Sequence, residues 1–193
     1  ATGKTHTLLG PDRGPALGEQ QFGLVPRLVR SLYRVLEQVE DTKTLLEVSY
    51  VEVFNEEVRD LLSDSLDGVF IDYDQQGNPR LAGLNQVSCS SISEVLACLD
   101  TGQSLHRHQG LDILSSTQPR AHTLFSLKLS QSSLAEDGSH VLRTSTLQFC
   151  DLAPSDCLTG PTGAINLGLL SLGNVVSALG DPRRNVSYVP YQD

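Results

Sequence analysis

Gly3-Lys4-Thr5, with His6 and Thr7 directly behind it, is the stretch of this sequence whose residue types could do chemistry on a phosphate. In a loop of the pattern GxxxxGK[ST], the lysine reaches the β- and γ-phosphates and the hydroxyl ligates Mg²⁺. Free N–H groups at the start of the helix that follows then face the phosphate oxygens. Read this way, Gly3, Lys4, Thr5, His6 and Thr7 form the end of a nucleotide cradle. The head glycine of the pattern would stand upstream of Ala1, so the tripeptide alone reads more simply as a chance match. Asp151 closes the apolar stretch Val141 to Asp151, and an aspartate in that place is most simply a turn or cap residue. The four cysteines, Cys89, Cys98, Cys150 and Cys157, show neither CxxC pairing nor metal-ligand spacing. Each sits among apolar or small residues, the setting of buried free thiols in a reducing compartment, which predicts a cytosolic address.

The elements that must position these residues follow from periodicity. Leu24, Val25, Leu28, Val29, Leu32, Val35, Leu36 and Val39 recur at helical spacing, with Arg27, Arg30, Arg34 and Glu37 opposite and Pro26 in the first turn. Lys43 to Phe54 carries apolar residues of both parities, which suits a central strand covered on both faces. Phe70 to Tyr73 and Arg80 to Leu84 flank a Gln-Gly-Asn-Pro turn and predict a small surface hairpin. Ser91-Ile-Ser-Glu94 is a capping box that opens a helix with Ile92, Val95, Leu96 and Leu99 inward. Alternation from His122 to Ser130 predicts a half-buried strand, which Asp137-Gly138 turns into a second strand from Val141 to Asp151. A last helix carries Ile165, Leu169, Leu172, Val175, Val176 and Leu179 and stops at Gly180 with Pro182 beyond. Helices interleaved with strands predict a layered α/β fold with a mixed sheet, and a ligand at the carboxyl ends of the strands.

Composition narrows the class. At 193 residues with 39% apolar side chains the chain is a globular domain or part of one. No apolar run approaches the ~20 residues of a membrane span. A net charge of −9 without a basic cluster argues against nucleic acid and anionic lipid as partners. The absence of any methionine predicts a piece of a longer protein.

Six blocks, GKTHTLLG, GLVPRLVRSLY, EVSYVEVFNEEVRDLL, RAHTLFSLKLSQ, LQFCDLAPSD and INLGLLSLGNVVSALGDPRRNVSYVPYQD, span essentially the whole chain. In order and spacing they resemble the kinesin motor domain family, with the last block most similar to the branch of chromokinesins and Hedgehog-pathway regulatory kinesins. The resemblance implies a P-loop NTPase-like α/β fold with helices on both faces of the sheet. Residues 1–193 are then part of a motor domain, from the end of the phosphate loop to just past the relay helix. It also implies ATP and Mg²⁺ as cofactors, microtubules as partner, a cytoplasmic and cytoskeletal location, and a homodimer through a coiled coil outside this sequence.

Under the resemblance, Thr5 ligates Mg²⁺ directly and Asp151 holds it through water. The family's switch I is similar to N-x-x-S-S-R-S-H and aligns with Ser115 to His122, here SSTQPRAH. Arg120 and His122 stand in place, whereas Gln118, Pro119 and Ala121 replace the hydroxyl residues. Switch II resembles D-L-A-G-S-E and here reads Asp151-Leu-Ala-Pro154-Ser155-Asp156. Proline has no N–H for the γ-phosphate, while Asp156 stands where the family glutamate pairs with the switch I arginine, here Arg120. Arg120 and Asp156 are thus the candidate catalytic pair, in a degenerate form. LTGPTGA after Cys157 replaces a longer family loop, and Gly168 and Gly173 weaken the relay helix by about 1 kcal/mol each relative to alanine. Arg183 and Arg184 are the adjacent basic pair best placed for an acidic microtubule surface. A solvated loop beside a helix C-terminus, where cations suit the dipole, explains them equally well. The resemblance therefore implies a microtubule motor with impaired hydrolysis, or a kinesin-derived binding scaffold that no longer hydrolyses ATP.

Overall fold

One thirteen-residue strand organises most of the molecule. The computed structural model describes residues 3–11, 21–54, 57–63, 68–77, 79–109, 121–135, 138–153, 163–181 and 189–191. These fall into two compact units, residues 1–152 and 153–193. In the first unit the order is α1 (Lys4–Leu9), α2 (Leu24–Leu36), β1 (Thr42–Phe54), β2 (Glu57–Asp60), β3 (Phe70–Tyr73), β4 (Pro79–Ala82), β5 (Val87–Cys89), α3 (Ile92–Gln109), β6 (His122–Leu134) and β7 (His140–Asp151). The second unit contains α4 (Gly163–Gly180).

The sheet runs β2-β1-β6-β7, with β5 also paired to β1. β1 is central, as its two apolar parities predict: β6 flanks one edge along its length, while β5 and β2 share the other. Every pairing among the described strands is antiparallel. β6 and β7 form a long hairpin whose first strand continues to Leu134, four residues past the predicted end, because Gln131 to Leu134 go on pairing with Arg143 to His140. The small surface hairpin is present as β3 and β4, held by an Arg80–Asp72 ion pair at 2.6 Å.

Registry places Leu46, Val48 and Tyr50 opposite Leu129, Leu127 and Phe125, so these six side chains share one face. Against that face Leu9 of α1, Val25 and Val29 of α2, and Val95 and Leu99 of α3 complete a single buried cluster. The other parity of β1 is buried at Ser49 and Val51. Two close approaches shape this layer. A Cβ on Gly10 would meet the Gly23 nitrogen at 2.8 Å, and a Cβ on Gly23 would meet the Gly10 nitrogen at 2.4 Å, so only glycines let the chain pass there. A Cβ on Gly102 of α3 would lie 2.1 Å from the Tyr50 ring, so α3 rests directly on the sheet at that point.

Four expectations need correction. The inward stripe of α2 is narrower than its periodicity suggests: Val25 and Val29 are buried, while Leu24 and Val35 are exposed and Val39 lies beyond the helix end. A helix resting on one cluster buries only the ridge that points at it, and Leu24 and Val35 fall to one side of that ridge. The capping box reaches back one residue further than expected. Ser91 Oγ accepts from the Glu94 N–H at 3.3 Å, but the Glu94 carboxylate takes the N–H of Ser90 at 2.7 Å. These bonds hold the Glu94 carboxyl below its ordinary range. The cysteines are not uniformly buried: Cys89 is buried, Cys98 half-buried and Cys150 exposed, the last because β7 is the outer strand of the described sheet. Cys157 lies outside the described residues. On α4, Leu172, Val176 and Leu179 of the expected inward stripe are exposed.

Candidate functional site

The site is assembled where the two ends of the first unit meet. Gly3 takes a left-handed conformation, φ 79°, as the residue before α1, a position at which glycine carries no Cβ penalty. Its carbonyl accepts the Thr7 N–H at 2.9 Å and the Thr7 hydroxyl at 3.0 Å, closing the first turn. This sets the three side chains that follow on successive sides of a short helix. The Thr5 hydroxyl donates to Asp151 Oδ2, across 146 positions of sequence.

Asp151 is the last residue of β7 and pairs with Thr123 of β6, so the sheet fixes its backbone. Its second oxygen, Oδ1, is buried and has no hydrogen-bond partner among the described residues. An orphaned carboxylate oxygen is costly unless a donor, water or cation completes it. Lys4, Thr7, Leu8, Cys150, Asp151 and Leu152 line a pocket of about 430 Å³ at this point. A second pocket of about 570 Å³ is lined by His6, Thr7, Pro11, Gln21, Phe22, Gly23 and Arg27, so Thr7 borders both.

Of the candidate residues, Gly3, Lys4, Thr5, His6, Thr7 and Asp151 are therefore gathered around α1 and the end of β7. Arg120, Asp156, Pro154, Gln118, Pro119, Arg183 and Arg184 lie outside the described residues. His122 opens β6 and pairs with Val53, and burial pushes its imidazole below the ordinary histidine range. Cys150 and Leu8, which line the pocket, are not among the residues the sequence singles out for the site. Cys150 carried a usable signal, since it directly precedes the candidate aspartate. A second polar pair lies between β1 and α3. Glu52 of β1 is buried and its Oε2 lies 2.8 Å from His106 Nδ1 of α3, with Arg59 at 3.9 Å from its other oxygen. No sequence pattern links positions 54 residues apart on different elements.

Comparison with known proteins gives the following. The kinesin motor domain profile matches residues 1–193. The chain is 35% identical over 210 residues to the kinesin-like protein KIF27 of Mus musculus and 36% identical over 208 residues to the kinesin-like protein KIF7 of Homo sapiens. Each alignment covers 100% of this chain and 15% of the relative. A solved fast kinesin superposes with a TM-score of 0.80 at 24% identity, over 98% of this chain and 54% of that one. The likeness to that structure bears on the fold.

Proposed function

Because this chain belongs to the kinesin motor domain family, we propose that it binds Mg-ATP at the α1–β7 site and microtubules elsewhere, with little or no hydrolysis. The observation that carries the nucleotide part is the Thr5–Asp151 contact with its orphaned Oδ1. A threonine hydroxyl and a carboxylate are hard oxygen donors of the kind Mg²⁺ takes, and Mg²⁺ is ordinarily held by one or two protein oxygens together with substrate phosphates. The residues present thus fit the ion. Thr5 would hold it directly and Asp151 through water, and bound Mg²⁺ would neutralise the phosphate charge. Lys4 at the pocket wall supplies the fixed cation for the β- and γ-phosphates. Arg120 and Asp156 are assigned as the remnant of the switch pair.

Slow turnover rests on residue chemistry. Pro154 has no N–H to give the γ-phosphate, and Gln118 and Pro119 cannot replace two hydroxyls. Loss of one group that stabilises transition-state charge costs about 10²–10³-fold in rate, and here several are absent. Microtubule-stimulated ATPase is therefore expected to be undetectable in a phosphate-release assay, and Pro154→Gly alone recovers little because switch I stays altered. Turnover near ~10 s⁻¹, common among enzymes, overturns the proposal. The same departures favour a second reading in the same family, a binding scaffold derived from a motor.

We assign Arg183 and Arg184 to microtubule contact, within a cytoplasmic, cytoskeleton-associated protein that dimerises through a coiled coil outside this sequence. With a net charge of −9, attraction to an acidic surface has to come from a local basic pair. Co-sedimentation should be weak, fall as salt rises past roughly 0.15 M, where the Debye length is about 8 Å, and vanish when both arginines become alanine. Salt-resistant binding that ignores the double substitution places the interface elsewhere.

A further inference from the structure

Two thiols that the nucleotide site does not use face each other between β5 and α3. Cys89 is the last residue of β5 and Cys98 lies in the second turn of α3, and their Sγ atoms are 3.9 Å apart. Both are free. The capping bonds between Glu94 and Ser90 and Ser91 fold the start of α3 back beside β5. Pairing of Cys89 with Leu46 and a 3.0 Å bond from the Tyr33 hydroxyl to the Cys89 carbonyl hold its backbone from two further sides. The short distance is thus imposed by fixed elements.

We propose that Cys89 and Cys98 are a redox modification site, forming a reversible intramolecular disulfide that ties the end of β5 to α3. A disulfide brings the sulfurs to about 2.05 Å, so each has to move by only about 1 Å, a side-chain adjustment. With a peroxide as oxidant the atoms balance. The thiolate of Cys98, the more exposed of the two, attacks one peroxide oxygen; the O–O bond breaks, Cys98 becomes a sulfenic acid, and the departing hydroxide takes up the proton that the Cys98 thiol released and leaves as one water. The Cys89 thiolate then attacks that sulfur, the S–S bond forms, and the hydroxyl departs with a proton as a second water. Two thiols are oxidised by two electrons and one peroxide is reduced to two waters.

Burial, with the Glu94 charge adding to it, holds both thiols up, Cys89 to about 12. The thiolate fraction is therefore small and the first attack slow, which keeps the pair reduced except under sustained peroxide. Once Cys98 is oxidised, a sulfur already alongside it competes with dissolved thiols at very high effective concentration. Transient disulfides of this kind are the sort a reducing compartment tolerates.

The test treats the chain with excess hydrogen peroxide, blocks remaining thiols by alkylation and digests after glutamate. Glu94 lies between the two cysteines, so cleavage there leaves two peptides joined only by the new bond. Joined peptides two hydrogens lighter, separated again by dithiothreitol, together with an unfolding midpoint raised by about 5 °C, are the expected result. Cys98→Ser, a small change at a half-buried position, should fold and show neither. Recovery of both cysteines alkylated, oxidation of Cys98 to a sulfinic acid without cross-linking, or a disulfide between chains each overturns the proposal.

Discussion

Replacing Lys4 by alanine lowers the affinity of the chain for a fluorescent ATP analogue in the presence of Mg²⁺ by about 100-fold in equilibrium titration. Lys4 lines the pocket that Asp151 closes, and among the described residues no other lysine or arginine lines it. A hydrogen bond between charged groups contributes about 1.5–3 kcal/mol, and 1.4 kcal/mol is tenfold in a dissociation constant. Removing the ammonium also leaves the phosphate charge facing Asp151, and Mg²⁺ alone then has to offset both. The fold should not suffer, because Lys4 is exposed and sits in the first turn of a six-residue helix. An unchanged affinity in a variant that unfolds at the wild-type temperature would falsify the phosphate-loop reading.

Phe125→Ala lowers the free energy of unfolding by about 4 kcal/mol in urea denaturation, the largest effect expected of a single core position. Phe125 is 2% exposed and meets Tyr50 edge to face, with centroids 5.2 Å apart and planes at 89°. Such pairs contribute roughly 0.5–1.5 kcal/mol beyond their buried area, so the loss exceeds that of the transferred surface alone. Relaxation cannot fill the cavity cheaply. Tyr50 also lies tight against Gly102 of α3, which limits how far the ring can shift without moving the helix. A decrease below about 1 kcal/mol with an unchanged denaturant slope shows that this face does not carry the core.

Much of the architecture was legible because its signals are local. Pro26 and an apolar spacing mark α2, apolar residues of both parities mark β1 as central, and Asp137-Gly138 separates β6 from β7. Each of these depends on neighbours within a few residues, and backbone sterics turn such patterns into elements without outside help. Extent was less legible. The continuation of β6 to Leu134 is decided by its partner β7, whose ladder runs on through polar Gln131, Ser132 and Ser133 that show no alternation. Exposure of Leu24 and Val35 on α2 depends likewise on where the helix is set down, since a helix long enough to carry a wide apolar stripe buries only what its neighbour reaches.

By itself the sequence determined the residue types of the site and the family they belong to. A glycine-lysine-threonine before a helix and an aspartate ending an apolar strand are legible wherever they fall, because their chemistry is carried by the side chains. It also determined that Pro154 has no N–H, since that is covalent structure. The tertiary structure decided which of these residues meet. Thr5 reaches Asp151 across 146 positions because α1 is set against the end of β7, Cys98 reaches Cys89 because Glu94 folds α3 back, and Gly102 admits the ring of Tyr50. These encounters are products of strand order, registry and helix placement, which arise from burying a shared apolar face. Many residues vote together on that face, and no spacing within one segment records the outcome.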